Sequence, residues 1–396
     1  MVGQVSHQGD ISGEFPITNG LKQGCVLAPT LFALYLAAML YEIPPDNPGV
    51  EIKYRFNGGL FNLSRLRSQR LTNITQITEL RYADDNATPA HSPEEMQQSV
   101  NNFKQAYERF GLTINAKKNK VLAQPAPGSP IPDFNIFMSD TPLEQVDHFP
   151  YLGSVLSSQC NSEKDVDTRI CAAHVAFGRL YHRVFGNKNL KQQTKLMVYH
   201  AVVISTLLYG CEAWTLYSRE IKKLERFHQQ KLRSILNIKW EDYITNIAVL
   251  EKAHSNSIEA NIIKHQLRWT GHVHRMNDNR LPRQILYSEL STGNRHRGAP
   301  LRRYKDQLKR TMKKCDINPG SWEDQALDRK TWRQTIAAAA DTFEQDRRRE
   351  VEERRERRKA RLSQPRPPPS IRCNLCPRMF HARIGLLSHQ RHKHNT

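Results

Sequence analysis

Four side chains near the C-terminus have the types and spacing of a metal site. Cys373 and Cys376 are separated by two residues, twelve residues lead to His389, and four more lead to His394. Thiolate sulfur and imidazole nitrogen at this spacing are the usual ligands of tetrahedral zinc. A segment this short buries too little apolar surface to fold alone. We therefore expect Zn²⁺ to supply the folding free energy of a single ββα C2H2 zinc finger over residues 371–396.

The predicted finger is poorly equipped to read bases. Its base-reading positions would be Ala382, Gly385 and Ser388, and none of these side chains can make the bidentate contacts that distinguish bases. Several basic residues in the same segment can hold phosphates, which predicts weak, salt-sensitive and nearly non-specific binding. A protein-binding finger remains an alternative. His392 is an alternative fourth ligand, although the gap that separates it from the preceding histidine is short.

A second pair of side chains could also hold metal. Asp84 and Asp85 follow a short β-type run that ends at Tyr82. Two acids at a tight turn can gather divalent ions such as Mg²⁺, as phosphoryl transfer requires. Adjacent aspartates are also common in surface turns, so the pair alone does not decide between these interpretations.

The composition favours polyanionic partners. The chain has 396 residues, with 59 Lys and Arg against 39 Asp and Glu, which gives a net charge of +20. This balance excludes an acidic solvating protein and indicates polyanionic partners, such as RNA and DNA bound through phosphates. A generally basic, unspecialised surface is the alternative on composition alone. The longest apolar run is too short to span a membrane, so we expect no membrane partner. Seven mostly scattered cysteines indicate a reducing compartment, nuclear or cytoplasmic, with the nucleus favoured.

The pattern of the chain predicts an α+β fold followed by basic segments. Short strand-like and helix-like segments alternate over residues 1–158, and residues 159–275 are mostly helical. Residues 276–362 are Arg-rich and include a charged helix, 363–370 form a Pro-rich linker, and 371–396 form the finger. Two sets of apolar residues recur at helical spacing. They are Val166, Ile170, Ala173, Phe177, Leu180 and Val184, and Ile221, Leu224, Phe227, Leu232 and Ile235.

Seven blocks occur in a fixed order along the chain. They are residues 19–32, 82–85, 109–120, 149–154, 207–214, 268–276 and 281–284. The first four resemble the palm of reverse transcriptases from non-LTR (LINE-type) retrotransposons, and the last three resemble segments that follow the polymerase core in these elements. The resemblance covers roughly residues 1–335. It implies a partial palm over residues 1–158, a helical thumb-like region over 159–275, and a primer-gripping hairpin at 149–153.

The resemblance also implies roles for individual residues. Asp84 and Asp85 match the catalytic acids of the family, which bind Mg²⁺ or Mn²⁺. Gln23 and Gly24 match a segment that packs against the incoming nucleotide and the template, and Lys118 matches a lysine near the triphosphate. Two alternatives remain from the residues themselves. Gln23 and Gly24 could form a turn at a helix start, and Lys118 could belong to a solvated cluster.

Several features depart from the pattern of a working polymerase. The family has a further Asp on a strand before the block at 19–32, whereas here Asp10 lies in a polar, loop-like stretch. The fingers subdomain is also missing, Arg81 stands where a buried strand would favour an apolar residue, and Pro89 interrupts the returning strand. We therefore expect a decayed or truncated copy, or an incomplete gene model.

These features predict an RNA-directed DNA polymerase (reverse transcriptase) fragment that is inactive alone, because a palm carboxylate and the fingers are missing. A complementing polymerase fragment is then a possible partner. The alternative is a basic zinc-finger nucleic-acid-binding protein without catalytic activity, and a third possibility is an unselected pseudogene product.

Overall fold

The structure is a computed structural model that describes residues 2–17, 20, 24–126, 128–293, 301–363 and 368–394. The contacts divide the chain into two compact units, Met1–Ala340 and Asp341–Thr396. Gln23 and half of the predicted Pro-rich linker, residues 364–367, lie outside the described residues.

The strands are short, and most of them lie in the first 160 residues. They are β1 (Val2–Gly3), β2 (Ser6–His7), β3 (Asp10–Ile11), β4 (Phe15–Pro16), β5 (Val50–Tyr54), β6 (Asn73–Ile77), β7 (Leu80–Tyr82), β8 (Asp85–Ala87), β9 (Lys120–Val121), β10 (Phe137–Met138), β11 (Thr141–Pro142), β12 (Glu144–Gln145), β13 (His148–Tyr151), β14 (Ser154–Ser157), β15 (Ser288–Leu290), β16 (Ile371–Arg372) and β17 (Met379–Phe380).

The helices dominate the chain after residue 160. They are α1 (Ala28–Tyr41), α2 (Pro93–Arg109), α3 (Glu163–Leu180), α4 (Gln192–Val198), α5 (Ser205–Leu207), α6 (Ser218–Ile235), α7 (Asn246–Lys252), α8 (Ile258–His274), α9 (Leu281–Tyr287), α10 (Tyr304–Lys314), α11 (Trp322–Leu327), α12 (Arg329–Ser363) and α13 (Arg383–Lys393). Short 3₁₀ or π turns occupy Leu63–Arg67, Ala116–Lys118, Tyr181–Phe185, Tyr199–Ile204, Cys211–Ala213 and Trp240–Asp242. Within the described ranges, none of these helices combines the length and the apolar character that crossing a bilayer requires.

One sheet joins distant parts of the first unit. β5 lies between β6 and β15, and both of its neighbours run antiparallel to it. Glu289 of β15 stands opposite Lys53 of β5. The Arg-rich region after residue 276 therefore supplies a strand to the part of the chain that resembles a palm.

The predicted helical periodicity is confirmed. On α3 the buried side chains include Val166, Ala173 and Phe177, and on α6 they include Leu224, Phe227, Leu232 and Ile235. Together with residues of α7 and α8 they form the largest hydrophobic core of the described chain. Burial on one stripe of each helix leaves most of the charged side chains outside the core, with Asp165 of α3 and Glu220 of α6 as buried exceptions.

The segment predicted as a charged helix lies in a long helix of the structure. It is the C-terminal part of α12, where Arg354 pairs with Glu350 at 2.8 Å and Arg357 pairs with Glu353 at 3.0 Å. These exposed pairs at i,i+4 spacing each add only a few tenths of a kcal/mol, about 0.2–0.5, to helix stability.

Candidate catalytic and metal-binding sites

The two adjacent aspartates lie at the tip of a β-hairpin. β7 and β8 pair antiparallel, with Tyr82 opposite Asp85, so that Ala83 and Asp84 form a two-residue turn. Ala83 has a φ of +53°, the left-handed geometry that such tight hairpin turns need. Both carboxylates are exposed to solvent. The hairpin therefore presents two anionic groups side by side, free to bind a cation.

The β-type run that precedes the acids is broken in the structure. β6 ends at Ile77 and pairs with β5, whereas β7 begins at Leu80 and pairs with β8 alone. Arg81, which the sequence marked as unsuited to a buried strand, has a side chain that is only 11% exposed. It forms an ion pair with Glu79 at 3.0 Å and lies over the ring of Tyr107. Its charge is thus neutralised locally, and this explains how an arginine occupies the position.

A second hairpin contacts the first. β13 and β14 pair through a two-residue turn, Leu152 and Gly153, in which both residues have positive φ. The Tyr151 hydroxyl donates a 2.8 Å hydrogen bond to the carbonyl oxygen of Leu80 in β7. Burial, and to a lesser extent the charge of Asp85, raises the pKa of Tyr151. The phenol therefore stays protonated as a donor. The segments predicted as acid motif and primer grip are neighbours.

Buried polar contacts fix the second hairpin to the helical region. Asp165 at the start of α3 accepts the Val155 N–H at 3.0 Å and the Trp214 indole N–H at 2.6 Å. The Tyr209 hydroxyl donates to the carbonyl oxygen of Leu152 at 3.1 Å. Tyr209 and Trp214 belong to the block at 207–214, so that block helps to hold the predicted primer-grip hairpin in place.

Two other predicted substrate contacts are less clearly placed. Gly24 lies in an exposed turn just before α1, with a φ of +86° that favours glycine. Lys118 is exposed at the end of a 3₁₀ turn. Among the described residues, no hydrogen bond or ion pair joins Lys118 to Asp84 or Asp85. Their roles stay predictions.

Nothing in the described part of the chain adds a third metal ligand to the acid hairpin. No cluster of three ligand-type side chains within these residues includes Asp84 or Asp85. Asp10 is exposed on β3, which pairs only with β2 in a separate small hairpin.

The second unit brings the four predicted zinc ligands together. β16 and β17 form a hairpin and α13 follows, which places Cys373, Cys376, His389 and His394 with all ligand atoms within 4.8 Å of one another. The Nε2 atoms of the two histidines are 3.1 Å apart, and the Cys376 Sγ is 3.2 Å from the nearer one, His389. The Leu375 N–H points at the Cys373 sulfur at 3.4 Å, an arrangement that stabilises a thiolate.

The donor set suits zinc. Two sulfurs and two imidazole nitrogens at these separations match a closed tetrahedral site. His394, and not His392, belongs to the cluster. The ring of Phe380 lies 4.9 Å from that of His389, so an aromatic side chain covers the cluster on one side.

A further cluster was not anticipated from the sequence. Cys211, Glu212 and His265 hold their ligand-type atoms within 4.8 Å of one another. Glu212 and His265 also line a cavity of about 620 Å³ beside the hairpin of Tyr151. Cys211 is fully buried, and burial strongly raises the pKa of its thiol. Cys211 and Glu212 belong to the block at 207–214, whereas His265 lies on α8 just before the block at 268–276. No local spacing reveals their proximity.

Comparison with known proteins finds a family match over the N-terminal part. Residues 3–156 match the profile of the reverse transcriptase (RNA-dependent DNA polymerase) family. That match includes both hairpins and the turn at Gly24. These findings support a fragment of a non-LTR retrotransposon reverse transcriptase. They do not favour the alternative of a basic zinc-finger nucleic-acid-binding protein without catalytic activity.

The relatives are proteins of mobile elements. A transposon-derived protein of Caenorhabditis elegans is 26% identical over 277 residues, covering 66% of this chain and 95% of that protein. The RNA-directed DNA polymerase from transposon X-element of Drosophila melanogaster is 24% identical over 288 residues, 69% of this chain. The RNA-directed DNA polymerase from mobile element jockey of the same fly is 21% identical over 245 residues, 60% of this chain. The matched regions cover only 28% and 24% of the two fly polymerases.

Proposed function

We propose that the hairpin of β7 and β8 is the metal-binding element of an RNA-directed DNA polymerase centre, with Asp84 and Asp85 as two of its carboxylate ligands. The observation that carries this proposal is the hydrogen bond from Tyr151 to Leu80, because it places the predicted primer-grip hairpin against the acids. A primer end held by the second hairpin would then lie beside the carboxylates.

Two-metal nucleotide addition uses carboxylates from more than one strand to hold its ions. When bound, Mg²⁺ or Mn²⁺ supplies charge stabilisation for the attacking and leaving oxygens. In the described chain, Asp84 and Asp85 come from one hairpin, and no third ligand-type side chain clusters with them. We therefore expect this chain alone to bind a template and primer without extending it, and we expect activity when another polypeptide segment supplies the missing carboxylate.

Primer extension tests the proposal directly. The purified chain receives an RNA template, a DNA primer, dNTPs and Mg²⁺, with and without a polypeptide that carries the fingers and first palm strand of a related element. We expect extension only in the mixture, and we expect Asp84→Ala/Asp85→Ala to abolish it.

Asp140→Ala is the matched control. Asp140 follows Ser139 in a two-residue turn between β10 and β11, and Ser139 has a φ of +57°, close to that of Ala83. The control removes an equivalent exposed turn carboxylate and should leave extension unchanged. Extension by the chain alone would show that a third ligand is present within it. A mixture that binds primer but never extends it would contradict the catalytic role.

For the second unit, we infer a C2H2 zinc finger that binds RNA or DNA through phosphates. The supporting observation is the clustering of the four ligands by the hairpin and α13. Ala382 caps α13 and Ser388 is exposed on it, and neither side chain can read a base by bidentate contact. Nuclear localisation follows as an expectation from these partners.

A further inference from the structure

The first unit contains a strongly basic groove whose lining includes no residue of the acid hairpin. It is a cavity of about 730 Å³ between α8 and the first turns of α12. The described residues that line it include no Asp or Glu. They are Lys264, Arg268, His272, Arg275, Arg329, Trp332, Arg333, Ile336 and Ala337. Five permanent cations on one concave surface create a local positive potential that favours a polyanion.

The two helices are held together by an unusually close contact. A Cβ atom on Gly271 would lie 2.1 Å from the indole nitrogen of Trp332, so only glycine lets the two helices approach this closely. The Trp332 indole N–H donates a 3.0 Å hydrogen bond to the carbonyl oxygen of Leu267. Trp332 is buried and packs on Trp322. The groove is therefore a fixed feature of the fold and not a chance gap.

The basic side chains of the groove recur at regular spacing along both helices. Lys264, Arg268 and His272 are each one turn apart on α8, and Arg329 and Arg333 are one turn apart on α12. One turn of four residues spans about 6 Å, which is similar to the spacing of successive phosphates in a nucleic-acid strand. Two facing rows with this spacing fit an extended polyphosphate better than a single anion.

The exposed cations of the groove are not neutralised by protein. Arg268, Arg329 and Arg333 are exposed, and no ion pair of the described chain involves them. Burial, and next the charge of Arg329, lowers the pKa of Arg275, so cations crowd one another here. Asp328, whose charge acts on Arg275, accepts the N–H groups of Lys330 and Thr331 at the start of α12. The carboxylate of Asp328 is therefore already hydrogen-bonded to the N-terminus of α12.

We propose that this groove binds the phosphodiester backbone of a nucleic-acid strand, at a site separate from the acid hairpin and from the finger. Guanidinium groups suit phosphate because they offer paired donors. Trp269, next to Arg268, is 38% exposed at the edge of α8, and an exposed ring beside a basic groove can stack a base without reading its identity. Recognition is thus by charge and not by sequence.

The test measures binding of a labelled single-stranded RNA, and of the matched RNA–DNA duplex, by the full chain without divalent metal or dNTPs. We expect Arg268→Ala/Arg333→Ala to weaken binding about tenfold near 0.1 M salt. We also expect the slope of log K against log salt to fall by about 1.5–2, because two phosphate contacts are lost. Arg268→Lys/Arg333→Lys should retain most of the slope, since it keeps the charges.

The matched control is Arg310→Ala/Lys313→Ala. These two cations are exposed on α10 and do not line the groove. We expect this variant to bind like wild type. Equal losses in both variants would mean that only net charge matters, and an unchanged slope in Arg268→Ala/Arg333→Ala would mean that no phosphate binds there. Either result overturns the proposal.

Displacement of the RNA by polyglutamate as readily as by unlabelled RNA would instead favour an acidic protein as occupant and would overturn it as well. Binding in this groove does not depend on Asp84 or Asp85, so failure here is distinguishable from failure of the catalytic proposal.

Discussion

Arg65 donates a 2.8 Å hydrogen bond from Nη2 to the carbonyl oxygen of Tyr287, across more than two hundred residues of sequence. Its Nε also donates to the carbonyl oxygen of Gly59 at 2.9 Å, and its guanidinium lies over the ring of Tyr287. Burial lowers the pKa of this arginine, which is 4% exposed. A single buried cation thus fastens the segment before β6 to the end of α9.

We expect Arg65→Met to destabilise the first unit by about 2–4 kcal/mol, because two carbonyl groups lose charge-assisted donors in a buried position. Denaturant unfolding of the full chain measures this change. Arg67→Met is the control, since Arg67 lies in the same 3₁₀ turn but is exposed. Similar losses in both variants would contradict the role assigned to the buried contacts.

The hydrogen bond between the two hairpins gives a prediction for Tyr151. Tyr151→Phe removes the donor to Leu80 and keeps the ring, so we expect a loss of about 1 kcal/mol in stability. In a complementing mixture that extends a primer, the same change should lower the rate by loosening the hairpin that would hold the primer end. Wild-type extension together with wild-type stability would show that the contact is dispensable.

The stability of the first unit should fall in mild acid. Burial lowers the pKa of His274 below its ordinary value of 6.5, and His274 shares a 2.7 Å hydrogen bond with Tyr287. A lowered pKa means that the unfolded chain takes up the proton first. The contribution is therefore present above about pH 6.5 and is lost as the pH falls towards the folded-state pKa.

We expect His274→Gln to flatten the decrease in unfolding free energy between pH 7.5 and 5.5, by up to about 1.4 kcal/mol per pH unit for one proton. The control is His182→Gln, a change at an exposed histidine. An unchanged slope in His274→Gln would assign the acid sensitivity to other groups.

The sequence predicted the elements better than their assembly. Apolar periodicity located α3 and α6 because a helix buries a stripe that repeats along the chain. The ligand spacing located the four clustered side chains of the second unit for a similar reason, since the hairpin and helix that hold them are adjacent in sequence. The pairing of β15 with β5 had no such signal, because a three-residue strand carries almost no pattern and its partner lies over two hundred residues away.

At the candidate sites, too, the sequence did not predict the contacts between residues that are far apart in the chain. The acid motif was visible as adjacent aspartates, and the hairpin followed from it. Arg81 pairs with Glu79 and lies over the ring of Tyr107, which belongs to α2. The contact with Tyr107 depends on how α2 packs, and the sequence around Arg81 carries no signal for that packing. A signal that could have been used is Gly271. Glycine inside a helix costs about 0.5–1 kcal/mol relative to alanine, and so it often marks a close approach of another element.

Gly271→Ala should be strongly destabilising. The added methyl group would overlap the Trp332 indole, with 2.1 Å to its nitrogen and 2.4 Å to Cδ1, so α8 and α12 would have to separate. We expect a loss of about 1–3 kcal/mol or more from overpacking, against the small gain in helix propensity. Thermal or denaturant unfolding measures the difference.

Gly178→Ala provides the matched control for Gly271→Ala. Gly178 also lies inside a helix, α3, but a Cβ atom there would meet nothing within 4 Å. We expect this change to be neutral or to stabilise by up to about 1 kcal/mol. Equal tolerance of alanine at both positions would refute the packing explanation.

The finger gives the last prediction. Because the second unit offers two cysteine sulfurs and two imidazoles and little apolar core, we expect the purified chain to contain one zinc ion and Cys373→Ser/Cys376→Ser to contain none. In the variant without metal, the helix content measured by circular dichroism and the protease resistance of residues 371–396 should both decrease. Cys25→Ser/Cys171→Ser is the control, since both of these cysteines are exposed outside the cluster. Full zinc content in Cys373→Ser/Cys376→Ser would place the metal elsewhere, with the cluster of Cys211, Glu212 and His265 as the next position to test.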